Sequence, residues 1–165
     1  MMEIVFKNFW ILFILFTIIN VFIIKKKVEK YIVDNPEKEN GYKLIIKNFL
    51  IFSIIPWVII GIGNSLGLTN SVFEYLQPAK MNPIVLIFHF SIIMIWIMLF
   101  RFIFFKNGAK FLENHPGVIT IKSIGNVNEN PSEKTIKFFI AITLIGGIVG
   151  MTLMWFIEIP FPNFK

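Results

Sequence analysis

The side chains able to do chemistry are few, and most of them gather between Ile55 and Phe90. His89 supplies an imidazole, Asn64 an amide inside GIGNSLG, and Glu74 a carboxylate, with Glu158 a second carboxylate near the C-terminus. An imidazole with an amide and carboxylates is a set that binds a small polar solute or relays protons, because imidazole exchanges its proton near neutral pH. The competing reading is that Asn64 and His89 hydrogen-bond between helices or to the connection 69–82, as neutral polar groups near helix ends commonly do.

Other chemistries lack their parts. Cysteine is absent, which removes disulfides, Cys-ligated zinc and thiol catalysis. His115, the second histidine, belongs to a connection at the opposite end of its helix from His89, so the two cannot bracket a heme, and no carboxylates converge with either to hold a metal. Ser53 and Ser91 lie at different depths, and the single aspartate, Asp34, stands in a connection, so neither a serine with its base nor an aspartate pair is available for hydrolysis. GIGNSLG ends an apolar helix and lacks the preceding strand and the Lys-Ser/Thr of a phosphate-binding loop. The expectation is therefore no enzyme, no cofactor and no metal.

The elements that must position these residues are read from composition. Of 165 residues 56% are hydrophobic and 16% charged, with 20 phenylalanines, too little polar material to cover a water-exposed surface. Four apolar stretches, at about 5–24, 48–68, 84–105 and 136–157, are each long enough to cross ~30 Å of hydrocarbon at about 1.5 Å per residue. The first meets Lys25-Lys26-Lys27 and has neither a basic start nor a small-residue cleavage site, so it reads as a retained helix and not a signal peptide. Trp10, Phe13, Thr17 and Asn20 share one side of it, a face suited to neighbouring helices.

Asn35-Pro36, Asn82-Pro83 and Asn130-Pro131 each read as a helix start, the amide capping free N–H groups and proline accepting the first helical position. Pro56 lies inside the second span, where it removes one backbone bond and invites a kink. Gly63 with Gly67, and Gly146 with Gly150, make small-xxx-small pairs that let another backbone approach. Ser71-Val72-Phe73-Glu74 matches a capping box, so about two turns of amphipathic helix are expected between spans two and three, ended by Pro78. The third helix keeps its apolar spacing as far as Asn114, and 118–124 alternates loosely like a short strand. Trp57 and Trp96, near mid-span, read as packed bundle centre, with a quinone or lipid-tail surface as the lesser alternative.

Charge sets the orientation. The connection 25–47 carries seven lysines, and 106–135 carries Lys106, Lys110, Lys122 and Lys134 with Arg101 at its edge, whereas 69–83 carries only Lys80. By the positive-inside rule both lysine-rich connections are cytoplasmic and both termini lie on the other side. The net charge of +6 sits beside apolar spans, which points to anionic lipid headgroups at Lys25, Lys26, Lys27 and Arg101 and not to nucleic acid. Richness in Ile, Lys, Asn and Phe fits an AT-rich genome, hence a bacterial cytoplasmic membrane.

The fold expected is all-α: one polytopic membrane domain of four antiparallel transmembrane helices, with a short amphipathic helix between the second and third. The function expected is a non-catalytic membrane subunit or scaffold, assembling with itself or with partner membrane proteins. The alternatives are a small-solute or ion transport component with an outer-leaflet polar site, and a small redox or quinone-associated subunit.

Overall fold

The computed structural model describes residues 7–123 and 126–157. Among these, four helices are long and apolar enough to cross a membrane, and the chain is an all-α membrane bundle. Helix α1 spans Phe9–Asp34 and α2 spans Glu39–Ser65. At 1.5 Å per residue each is about 40 Å long. Both outrun ~30 Å of hydrocarbon. The charged residues from Lys25 to Lys47 therefore form a helical hairpin projecting from the basic end, where a loop was the simpler expectation. Asn35-Pro36 makes its tip: the Asn35 N–H closes the last rung on Tyr31 O at 3.1 Å, and Pro36–Lys38 forms a 3₁₀ turn that leads into α2. Asn35 makes no side-chain cap, so proline sets this start.

Helix α2 remains helical through Pro56 and ends in a Schellman motif. Leu68 N donates to Gly63 O at 2.9 Å, Gly67 N donates to Asn64 O at 3.3 Å, and Gly67 takes the left-handed conformation, φ +69°, that the motif requires. The connection that follows is helical but tighter than an α-helix, with 3₁₀ turns at Val72–Leu76 and Pro78–Lys80. Only half of the capping box forms, and it is displaced: Glu74 Oε1 accepts from Asn70 N at 2.7 Å, while Ser71 makes no cap bond.

Helix α3 spans Pro83–Phe105, and Asn82 caps it by accepting from Ile84 N at 3.1 Å. The Asn82 amide also donates to Leu68 O at 2.9 Å, tying the exit of α2 to the entry of α3. α3 stops at Phe105 and does not continue to Asn114. Lys106 N reaches back to Arg101 O and Phe102 O, Asn107 turns left-handed at φ +54°, and the short helix α4 occupies Gly108–Glu113. Gly108 is needed at this break, since a Cβ there would lie 2.6 Å from the Phe102 carbonyl oxygen.

After Pro116 and Gly117 the extended piece becomes a hairpin, β1 (Ile121–Ser123) pairing antiparallel with β2 (Asn126–Asn128). Helix α5, Glu133–Phe156, is capped by Ser132, whose Oγ accepts from Thr135 N at 3.4 Å. The start expected at Asn130-Pro131 thus falls two residues later. Glu133 pairs with Lys137 at 2.6 Å, an i,i+4 bridge in the favourable order.

Buried residues form three clusters near the helix ends. Val28, Tyr42 and Ile46 join α1 to α2 at the basic end; Ile60, Tyr75 and Val85 join α2 and α3 to their connection; Ile103, Ala109 and Ile136 join α3, α4 and α5. Between the clusters contact is thinner and mostly aromatic. Phe13 stacks on Trp57 with centroids 3.8 Å apart, and Trp96 lies over Gly147. A bundle whose solvent is lipid gains little by burying apolar side chains at mid-depth, so packing concentrates where polar backbone must be satisfied.

Candidate functional site

At the connection end, the structure brings Asn64 and His89 together through residues that lie between them in sequence. Asn64, 1% exposed, donates from Nδ2 to Lys7 O at 2.8 Å and accepts at Oδ1 from the Thr69 hydroxyl at 2.6 Å. Thr69 lies 3.2 Å from the Tyr75 hydroxyl, which donates towards Ile59 O and Ile60 O. His89, 3% exposed, bonds through Nε2 to Tyr75 O at 2.9 Å. A carbonyl only accepts, so Nε2 carries the proton of this bond. The His89 Nδ1 and the Trp10 Nε1 are buried without a hydrogen-bond partner among the described residues.

This arrangement spends Asn64 on structure. Both ends of its amide are engaged within the chain, and Gly63 beside it exists for the same packing, since a Cβ there would overlap the Tyr75 hydroxyl. Gly63 thus admits the connection, and Gly67 serves the helix terminus, with nothing within 4 Å of its Cβ position among the described residues. Of this glycine pair, Gly67 departs from the packing role expected of it, while Gly63 lies against Ile84 of α3 as well as against the connection. Glu74 caps Asn70 in an exposed position and does not face His89's ring nitrogens through any bond. Glu158 lies outside the described residues.

The basic end holds a second polar network. Glu129 accepts from the Tyr31 hydroxyl at 2.8 Å and from Lys30 at 3.0 Å, and lies 3.4 Å from Lys27. Lys27 also bonds the Thr120 hydroxyl. The Tyr31 bond first, then the Lys30 bond and the neighbouring lysine charges, hold the Glu129 carboxyl well down, to about 2. Beside it Tyr42 donates to Pro116 O at 3.0 Å, Gly117 N donates to Glu129 O at 2.8 Å, and His115 bonds Phe111 O through Nδ1 at 2.7 Å while meeting Tyr42 edge-on. A Cβ on Gly41 would overlap that imidazole. These contacts clamp the connection between α4 and α5 onto the α1–α2 hairpin.

This network corrects the headgroup assignment of Lys27, which is turned to Glu129. Lys25 and Lys26 remain exposed on the groove between α1 and α2, and Arg101 is exposed near the basic end of α3. Asn20 is exposed too, so it leaves the packing face that Trp10, Phe13 and buried Thr17 do form.

Helix α5 is the least enclosed span. Only Ile136 and Leu144 of it are buried, and between its ends an apolar groove of about 660 Å³ separates it from α3, lined by Trp96, Phe100, Leu144, Ile148 and Trp155. Gly147 packs on the Trp96 ring, whereas Gly146 and Gly150 have nothing within 4 Å of their Cβ positions among the described residues.

The residues missed by sequence reasoning are Thr69, Tyr75, Glu129, Tyr31 and Tyr42. A signal for three of them is present: beside 20 phenylalanines the chain keeps only three tyrosines, and each uses its hydroxyl in a bond between elements. Among the described residues no three His, Cys, Asp or Glu side chains converge as a metal set. Comparison with known protein families, curated proteins and solved structures finds no match to this chain.

Proposed function

We propose that the protein is a non-catalytic membrane subunit that assembles, through α5, with a second copy of itself or with partner membrane proteins. The observation that carries this reading is α5 itself, in which only Ile136 and Leu144 are buried and Gly146 and Gly150 are open on one side among the described residues. Two glycines four residues apart allow close backbone approach, and association of helices in lipid depends on such close van der Waals packing. The polar residues of the chain support the same reading, because Asn64, Thr69, Tyr75 and Glu129 are committed to bonds within it. The lysine distribution supports a cytoplasmic basic end with both termini outside, in a bacterial cytoplasmic membrane; C-terminal tag accessibility in intact cells tests it.

The test is mass in mild detergent. The wild-type chain is expected at a multiple of 19.2 kDa or with co-purifying membrane proteins, and the Gly146→Leu/Gly150→Leu variant at the single-chain mass. A second reading, a small-solute or ion transport component, rests on the buried, unpartnered Nδ1 of His89. A single chain that moves a solute in vesicles, and stops doing so as His89→Leu, would favour it.

A further inference from the structure

We propose that the pocket where α3 gives way to α4 is a binding site for the phosphate headgroup of an anionic glycerophospholipid. The pocket, about 490 Å³, presents Lys106, Lys110, Asn107 and Asn114 over an apolar floor that includes Phe102 and Leu44. Among the described residues, none that lines it is acidic.

Its charge is available for a ligand. Lys27, Lys30, Lys43 and Lys137 are each within 4 Å of a carboxylate, whereas among the described residues Lys106 and Lys110 are not. The groove between α1 and α2 makes the contrast: it carries Lys25, Lys26 and Lys43, but Glu29 and Glu39 line it as well, and Lys43 is already bridged to Glu39 at 2.8 Å. Lys110 interacts with Glu133 only at longer range, so two ammonium groups outside any close ion pair, with two carboxamide NH₂ donors, match a phosphodiester, which has one negative charge and acceptor oxygens only.

Depth decides for a lipid over a free phosphate. Lys106 is the first residue beyond α3, and Phe102 stands one helical turn back towards the hydrocarbon. A headgroup held by Lys106 and Lys110 would therefore lay its acyl chain down the exposed surface of Phe102 and Leu44, where a soluble phosphate ester would leave the apolar floor bare. The break in the helix builds the site: left-handed Asn107 lets α4 turn back so that Lys110 and Asn114 face the same pocket as Lys106. The proposal is independent of how the chain assembles.

The experiment is native mass spectrometry of the purified protein in a neutral detergent, titrated with phosphatidylglycerol or phosphatidylcholine. Wild type is expected to retain phosphatidylglycerol over phosphatidylcholine by roughly thirtyfold, the scale of two lysines near a lipid surface. Lys106→Gln/Lys110→Gln should bring that preference close to parity, while Lys7→Gln/Lys80→Gln, which removes the same charge from exposed lysines elsewhere, keeps it. The single variant Lys110→Gln, on the exposed face of α4, gives a partial loss and guards against misfolding of the double variant, with helicity checked by circular dichroism. Preference retained by Lys106→Gln/Lys110→Gln, equal loss in the Lys7→Gln/Lys80→Gln variant, or full competition by soluble glycerol phosphate would each overturn the site.

Discussion

Asn64 shows how a polar residue in a membrane protein can be conspicuous in sequence and structural in the fold. Its amide satisfies the Lys7 carbonyl and the Thr69 hydroxyl at once, so it splices the start of α1 to the connection after α2. Replacing it by alanine leaves a buried hydroxyl and a carbonyl without their partners. Asn64→Ala is expected to cost ~1–3 kcal/mol in reversible unfolding from mixed micelles. The glycines divide in the same way. Gly63→Ala drives a methyl group into the Tyr75 hydroxyl and should destabilise the folded chain by about 1–3 kcal/mol. Gly146→Ala meets open space and should leave a single chain unchanged or more stable by up to about 1 kcal/mol. Equal losses at both positions in the same unfolding assay would mean that Gly146 is enclosed within the chain after all.

Among the elements, the basic-end clamp depends on pH through one carboxylate. Glu129 is held down to about 2 from an ordinary value of 4.5, so the folded state binds its proton less tightly than the unfolded chain does. Its contribution to stability is therefore fully present above about pH 4.5 and is lost as pH falls through about 2. Melting midpoints of wild type and Glu129→Gln should differ at pH 6 and converge towards pH 2. Curves that stay parallel over that range would sink this role for Glu129. The helix boundaries show which local signals were legible. Asn82-Pro83 behaves as its chemistry predicts, because capping involves only neighbouring residues. Asn130-Pro131 misleads because Ser132 offers a better-placed oxygen two residues on, and the capping box at Ser71 fails because the 3₁₀ turn moves Glu74 onto Asn70. The end of α3 was hidden because FFKNGAKFLEN keeps its apolar spacing straight across the left-handed break at Asn107.

At the scale of the whole molecule, four spans follow from composition and length, since hydrocarbon demands about 20 apolar residues per crossing and little else supplies them. What pairs with what does not follow. Glu129 meets Tyr31 and Lys30 across almost a hundred residues, and nothing local to GNVNEN marks it as their partner. Nor does periodicity reveal how little of α5 is enclosed, because a lipid-facing helix and a partner-facing helix are equally apolar. The most direct measurement of assembly through α5 is a photo-reactive residue at Val149, exposed beside the open glycines, compared with one at Phe16, exposed on α1. Irradiated in native membranes, position 149 should give a discrete protein adduct, a second copy or a partner chain, while position 16 gives lipid adducts only. Lipid adducts alone at both positions would contradict the assembly reading and leave α5 a lipid-facing helix.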